Sequence, residues 1–286
     1  MKKTNIILVN LFLIILLFFI CEFFCWAMYA KNELNGVSLS SYSLKIQRFE
    51  NYIKNKENIR PVSGSNYLSK PILLLGCSFT YGEGLKDNET FSYKLSKLTK
   101  RPVYNYGLRG LGLQEAIYLI LKNHIQIKEP PEYIIYTYIG DHEERLLYSR
   151  IRGLEHLSFK NKEGLPIYIQ NANLSNRFYS LVLLNSLINR NLPNDIKQRN
   201  TIEHFILFKN LIQKNYPKAK IIVFYYEDNT YHNYVIDKIN EIGIETIKMK
   251  DLGIQSEKLP KLIDGHPAAS AWDIVVPKLI KYINIQ

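Results

Sequence analysis

The chain has 286 residues, of which 47% are hydrophobic, and a formal net charge of +11 spread along the sequence without a dense basic block. That length suffices for one sizeable core with an appendage, and the charge suits anionic lipid, acidic glycan or simply a lysine-rich solvated surface. Zinc-finger spacings, RNA-binding signatures and basic helix-turn-helix patterns are missing from the sequence, which argues against a nucleic-acid partner.

The N-terminal segment is strongly apolar. Lys2 and Lys3 precede a run of about 25 largely apolar residues, which is long enough to cross a bilayer as a helix. The positive-inside rule places these lysines in the cytoplasm and the remainder of the chain on the periplasmic or extracellular side. A cleaved signal peptide ending at Ala30 is the alternative, but the apolar run is longer than the usual apolar core (h-region) of a signal peptide. We predict that residues 1–30 form a cytoplasmic tip and an uncleaved single-pass anchor, with residues 5–29 in the membrane.

Residues 31–69 are polar and predict a stalk or linker, and residues 70–286 alternate between short apolar strands and amphipathic helices. Strands are predicted at 71–76, 102–107, 132–139, 219–226 and 244–249. Since these strands are apolar on both faces and are separated by helices, they predict a parallel sheet covered on both sides. The predicted fold is a three-layer α/β/α sandwich of the flavodoxin-like type with about five parallel strands, preceded by the transmembrane helix.

The helices between the strands have recognisable apolar faces. Asn88 is predicted to cap a helix that carries Phe91, Leu95 and Leu98 on one face. Further helices are predicted near 230–242 and 268–283, and a crossover helix through 202–211. The third and fourth strands are about 75 residues apart, which predicts an insertion at about 150–200. It includes a hairpin turning at 163–164 and a helix over 178–190, and suits a lid, a substrate wall or a surface packed on the stalk or membrane.

Four loops follow strands or precede the last helix, and each contains polar residues or glycines. They are the loop with Ser78, the segment 105–110, the segment 140–142 and the segment 264–267. The loops at the carboxyl ends of parallel strands meet at one edge of the sheet, where ligands bind. We therefore expect these four loops to form one site.

The motifs in these loops resemble those of the SGNH, or GDSL-type, hydrolase family over roughly residues 70–284. Residues 76–82, GCSFTYG, match a Gly-x-Ser-x-Thr-x-Gly turn, with Cys77 where many members have Asp. Residues 105–110 match Asn-x-Gly-x-x-Gly, and residues 264–267 match an Asp shortly before His-Pro. Any one of these motifs is common, whereas three in this order on these elements are distinctive.

The resemblance implies a catalytic triad. Ser78 would be the nucleophile, His266 the base that takes its proton, and Asp264 the carboxylate that orients the imidazole. The family more often has two residues between the acid and the histidine, whereas only Gly265 separates them in this chain.

The resemblance also implies an oxyanion hole, for which preorganised donors are needed. These would be the N–H groups of Ser78 and Gly110 and an Asn side chain from the third motif. Asp141 stands where the family has that Asn, and His142 follows it. Three alternatives stay open: Asp141 is protonated, it turns away while His142 donates, or the site is weakened.

The activity implied by the resemblance is hydrolysis of a carboxylic ester, for example an O-acetyl ester of an envelope glycan or lipid. Acyl transfer to a glycan by the same triad, and a degenerate protein that only binds a glycan or a partner, are the alternatives. We predict no cofactor and no metal, because His156, His204 and His232 have no ligand spacing. Arg109 and Arg145 suit either an anionic substrate or a solvated loop.

Overall fold

The computed structural model describes most of the chain from residue 58 onwards. The described residues are 10–24, 49, 51–55, 58–147, 150–151, 154–155, 159–162, 165–168, 194–227, 229 and 232–285. The helix predicted over 178–190 and the turn residues 163–164 lie outside these ranges.

The centre of the domain is a five-stranded parallel sheet, as the sequence predicts. Its strands are β1 (Ile72–Gly76), β2 (Val103–Gly107), β3 (Tyr133–Tyr138), β8 (Lys220–Tyr225) and β9 (Glu245–Lys248), in the order β2-β1-β3-β8-β9. Between β3 and β8 lie two antiparallel pairs, β4 (Arg150–Ile151) with β5 (Leu154–Glu155) and β6 (Phe159–Lys162) with β7 (Leu165–Tyr168). The β6–β7 pair confirms the predicted hairpin. Gly76 pairs with both Gly107 and Thr137, so the neighbouring strands β2, β1 and β3 end at the same edge of the sheet.

Helices cover both faces of this sheet. The α-helices of the described residues are α1 (residues 10–24), α2 (residues 51–54), α3 (Ser78–Tyr81), α4 (Phe91–Thr99), α5 (Leu113–Leu121), α6 (Asp141–Leu147), α7 (Asn194–Asn215), α8 (Asn233–Glu241) and α9 (Ala269–Ile283). The sheet is covered mainly by α4 and α9 on one face and by α5, α7 and α8 on the other. Side chains of a strand alternate between faces, so Leu73 and Leu75 join the core under α5, α7 and α8, while Ile72 and Leu74 join the core under α4 and α9. Stacking of Phe91 on Trp272, with ring centroids 4.7 Å apart, joins α4 to α9.

The start of α4 differs from the prediction. Asn88 lies in a preceding 3₁₀ turn, Asp87–Glu89, and Thr90 caps the helix instead, its hydroxyl accepting a 3.3 Å hydrogen bond from the Tyr93 N–H. Leu98, predicted on the apolar face, is 53% exposed. The helix therefore begins two residues later than predicted, and Leu98 faces solvent.

Part of the predicted stalk packs on the domain. Ser63 forms an isolated antiparallel bridge with Val103 on the edge strand β2. Arg60 donates a 2.7 Å hydrogen bond to the Gly82 carbonyl just after α3. These contacts place the boundary of the packed domain upstream of the predicted one, whereas residues 31–48 lie outside the described residues.

Helix α1 falls within the predicted anchor. Its large apolar side chains are exposed, among them Phe12, Phe19 and Phe24 at 64%, 64% and 63%. None of the described helices combines the length and the apolarity needed to cross a bilayer. The remaining residues of the predicted anchor, 5–9 and 25–29, lie outside the described residues.

Candidate active site

Ser78 is placed at the sheet edge by a tight turn between β1 and α3. Gly76 has a φ of +149°, and a Cβ there would lie 2.3 Å from the Thr80 hydroxyl and 3.1 Å from the Thr137 carbonyl. Glycine is therefore required for the chain to turn directly from the strand into the helix. Ser78 is the first residue of α3 and is 8% exposed, so its hydroxyl lies at the edge with little contact with solvent.

The second motif fixes the position of α3 against β2. The Asn105 side-chain amide donates a 2.8 Å hydrogen bond to the Thr80 carbonyl, while its oxygen accepts a 2.9 Å bond from the Gly107 N–H. A Cβ at Gly107 would lie 2.3 Å from the Tyr81 nitrogen, which shows how closely the helix approaches the strand. Asn105 and Gly107 thus hold the helix that begins at Ser78 against β2.

His266 reaches Ser78 from the loop before α9. Its Nε2 lies 2.9 Å from the Ser78 Oγ, across 188 residues of sequence. The loop is a compact turn, in which the Leu262 N–H bonds to the His266 carbonyl at 2.8 Å and Gly265 adopts a φ of +87°. The Phe79 ring packs on the imidazole with centroids 5.4 Å apart, which limits how far the imidazole can rotate.

Asp264 is close to His266 but not well aligned with it. Its Oδ2 lies 3.0 Å from the imidazole Nδ1, yet Nδ1 makes no hydrogen bond of good geometry to any described residue. The other carboxylate oxygen accepts a 3.1 Å bond from the His266 backbone N–H. With only Gly265 between the two residues, the carboxylate bonds to the backbone of its partner as well as approaching the ring. That backbone hydrogen bond is the main cause that lowers the pKa of Asp264 below its ordinary value.

We expect Asp264→Asn to lower kcat for a small acyl ester by about tenfold, far less than an aligned triad carboxylate would cost. The reason is that Asp264 is exposed and its contact with Nδ1 is off the hydrogen-bond direction. The lowered pKa keeps Asp264 ionised throughout the neutral range, so the substitution removes a negative charge at every pH of such an assay. A pH–rate profile of both proteins measures the loss of kcat, and a loss of several thousandfold would contradict the geometry.

Two backbone N–H groups are the candidates for the predicted oxyanion hole. The Ser78 N–H is the first of α3, where a helix has no acceptor of its own. The Gly110 N–H donates to none of the described residues, and Gly110 is half-buried with a φ of +67°. Both groups belong to loops that end at the same edge of the sheet, as the resemblance implies.

The third motif is divided between two environments. Asp141 begins α6, and its Oδ2 lies 3.5 Å from the Nη2 of Arg145 one turn later. His142 is completely buried, with its Nδ1 2.8 Å from the Tyr136 hydroxyl and its ring packed on Tyr138. The structure thus brings together Ser78, His266 and Asp264 but places His142 in the core beside β3. The oxyanion roles of Asp141 and His142 stay predictions.

A cluster of polar side chains that is not apparent from the sequence lies next to this loop. Glu143 is 2% exposed, accepts a 2.8 Å hydrogen bond from the Tyr138 hydroxyl and lies 2.6 Å from the Nδ1 of His232. Glu227 accepts a 2.7 Å bond from the Gly140 N–H. The sequence signal that could have identified Glu227 is its position directly after the fourth predicted strand, residues 219–226.

These residues border a polar cavity of about 360 Å³ at the carboxyl ends of β3 and β8. Its lining includes Asp141, Glu143, Lys197, Glu227, Asn229 and His232. Among the residues that the structure describes, no group of three or more His, Cys, Asp or Glu side chains is arranged to hold a metal ion.

Protein-family models and curated protein sequences give no match to the chain. Solved structures similar to it include the acetyl xylan esterase Est2A from the rumen bacterium Butyrivibrio proteoclasticus, with 14% identity and a TM-score of 0.46 over 78% of this chain and 64% of that one. A member of the lipolytic G-D-S-L family from Veillonella parvula has 11% identity and a TM-score of 0.44 over 76% of this chain and 100% of that one.

A third similar structure is a family two carbohydrate esterase from Clostridium thermocellum in complex with cellohexaose. It has 13% identity and a TM-score of 0.44, over 76% of this chain and 64% of that one. The chain thus spans 64% of the length of Est2A and of this enzyme. Similarities this distant neither assign the chain to a family nor transfer a substrate to it.

Proposed function

We propose that the protein is a serine esterase in which Ser78 is the nucleophile and His266 the general base. The observation that carries this proposal is the 2.9 Å contact between the Ser78 Oγ and the His266 Nε2. A serine hydroxyl becomes nucleophilic when an imidazole within hydrogen-bond reach can take its proton. The order and spacing of the three motifs support the same assignment.

The proposed reaction proceeds through an acyl-enzyme. The Ser78 Oγ attacks the ester carbonyl carbon while the His266 Nε2 takes the hydroxyl proton, and the carbonyl oxygen becomes an oxyanion. The N–H groups of Ser78 and Gly110 would stabilise that charge. The tetrahedral intermediate then collapses, the alcohol leaves with the proton from the imidazole, and the acyl group stays on Oγ. Water, deprotonated by His266, attacks the acyl carbon and releases the acid, and the Ser78 Oγ regains its proton.

A fluorophosphonate probe tests the nucleophile directly. The probe forms a bond from Oγ to phosphorus with loss of fluoride, which requires the serine to be activated. We expect mass spectrometry to locate the adduct on Ser78 in the wild-type protein, with no adduct in Ser78→Ala and much slower labelling in His266→Ala. Ser270→Ala, which changes an exposed serine on α9, is the matched control and should label as the wild type does. An adduct that persists in Ser78→Ala would contradict the proposal.

For the substrate, we propose an O-acyl ester of a polyhydroxylated alcohol such as a glycan. The polar cavity follows β3, the strand next to the one that carries the nucleophile, and its carboxylates, amide and lysine are groups that hydrogen-bond to hydroxyls. A glycan hydroxyl in place of water would give acyl transfer by the same steps.

We also propose that residues 5–29 anchor the protein to a membrane with the esterase domain outside. The exposed apolar side chains of α1 and the preceding Lys2 and Lys3 support this proposal. A C-terminal reporter that is active only in the cytoplasm would contradict this orientation if it were active here.

A further inference from the structure

Arg145 is a buried cation that contacts the loops around the candidate site. Its side chain is 8% exposed, its Nη1 donates a 2.7 Å hydrogen bond to the Leu111 carbonyl, and its Nη2 lies 3.5 Å from the Asp141 carboxylate. Leu111 directly follows Gly110, whose N–H is a candidate oxyanion donor. One guanidinium therefore holds both the second and the third motif.

The charge of Arg145 also reaches the first motif. Burial raises the pKa of the Cys77 thiol, and the positive charge of Arg145 opposes this increase. The guanidinium thus acts on the residue immediately before Ser78. The backbone of Arg145 is held in place as well, since the buried Gln114 side chain donates a 2.8 Å hydrogen bond to the Arg145 carbonyl.

Asp141 has to be reconciled with catalysis because a carboxylate directed at a developing oxyanion opposes it. Two like charges a few ångströms apart near a protein surface repel strongly enough to slow a reaction by orders of magnitude. A guanidinium 3.5 Å from that carboxylate offsets part of its charge. The spacing of Asp141 and Arg145, four residues apart on α6, places both side chains on one face of the helix.

We propose that Arg145 is a positioning residue for the oxyanion hole: it holds the Gly110 loop through the Leu111 carbonyl, and it turns and neutralises Asp141 so that this carboxylate does not oppose the oxyanion. The role rests on the proposed esterase function. In this chain, the Asp141–Arg145 pair would stand where the resemblance implies the neutral Asn amide of the third motif.

A double-mutant cycle on the full chain tests this role, with kcat and KM measured on a small acyl ester. We expect Arg145→Gln to lower kcat by about 30-fold with KM within about twofold, since support of the oxyanion is felt in the transition state. Asp141→Asn alone should change kcat by less than about threefold, because its charge is already offset. In the Arg145→Gln background, Asp141→Asn should raise kcat by about tenfold, because it removes the negative charge that Arg145 no longer offsets.

A purely structural arginine predicts a different pattern. If Arg145 only held the Leu111 carbonyl, removing the Asp141 charge would not restore kcat, and equal losses in the single and double variants would overturn the proposal. Arg101 is the matched control, because it also bridges a carbonyl, that of Lys70, and a carboxylate, that of Glu132, at the opposite edge of the sheet. Arg101→Gln should reduce the melting temperature without changing kcat.

Circular dichroism of each variant establishes whether it is folded. If Arg145→Gln does not fold, Arg145→Met removes the charge but keeps most of the aliphatic side chain, and adding Asp141→Asn to it is expected to raise kcat; no gain would overturn the role. Ser78→Ala in the same assay tests the esterase function separately from the role of Arg145. Wild-type turnover in Ser78→Ala would overturn the esterase function and this role with it, whereas loss of turnover there, with no rescue at Arg145, would overturn the role of Arg145 alone.

Discussion

Ser78→Ala and His266→Ala are each expected to reduce kcat for a small acyl ester by about 10⁴-fold or more, and the double variant should lose little beyond either single one. The hydroxyl and the imidazole lie 2.9 Å apart, and in the proposed mechanism they act as one unit, so removing either should abolish the nucleophilic route. Losses of this size are not additive when two groups serve the same step. Steady-state kinetics on an activated acetyl ester measures all three variants.

The controls for these variants address folding. Ser78 and His266 lie at the edge of the sheet and not in either apolar core, so the alanine variants should keep the wild-type circular dichroism spectrum. Ser270→Ala should keep wild-type kinetics. Two outcomes would contradict the mechanism: turnover near the wild-type value in Ser78→Ala, or losses in the two single variants that multiply in the double variant.

The sheet could be predicted from the sequence because each of its strands is a short apolar run between helices. The observed strands fall inside the five predicted ranges, for example Ile72–Gly76 within 71–76 and Tyr133–Tyr138 within 132–139. Strands buried on both faces show this pattern regardless of what packs on them. Once the strands are known, the meeting of the loops that carry Ser78 and His266 can be predicted as well, because these loops lie at the carboxyl edge of the parallel sheet.

The environment of the third motif could not be predicted, because helix α6 begins at Asp141 itself. Each residue of a helix turns about 100° from the one before, so neighbouring side chains face different surroundings. His142 consequently enters the core beside Tyr136, while Asp141 lies with Arg145. The sequence predicts a loop at residues 140–142, and in an irregular loop neighbouring side chains are not separated in this way.

Contacts between segments that are distant in sequence also could not be predicted from local sequence patterns. Glu143 and His232 are 89 residues apart, and only the fold shows that they form a buried pair. Arg60 was assigned to a stalk because its surroundings are polar, yet its guanidinium binds carbonyls at the end of α3. A polar segment that satisfies backbone groups of a domain looks the same in sequence as a free linker.

Gly107→Ala is expected to lower kcat by about a hundredfold while the protein still folds, because a nucleophile displaced by about 1 Å loses its alignment. A Cβ at this position would lie 2.3 Å from the Tyr81 nitrogen and 2.7 Å from the Thr80 carbonyl carbon. Both atoms belong to the backbone of α3, so the clash moves the helix that begins at Ser78. Overpacking of this kind also costs about 1–3 kcal/mol in the free energy of unfolding.

A second glycine separates this steric effect from the general cost of replacing glycine. Gly253 has a φ of +64°, and no atom lies within 4 Å of where its Cβ would be. Gly253→Ala should therefore reduce stability by about 1–2 kcal/mol through backbone strain alone and leave kcat unchanged. Denaturant unfolding and kinetics on both variants measure the two quantities separately. If Gly107→Ala lost stability but kept the wild-type kcat, the position of Ser78 would not depend on the close approach of α3 to β2, and the support assigned to the second motif would be wrong.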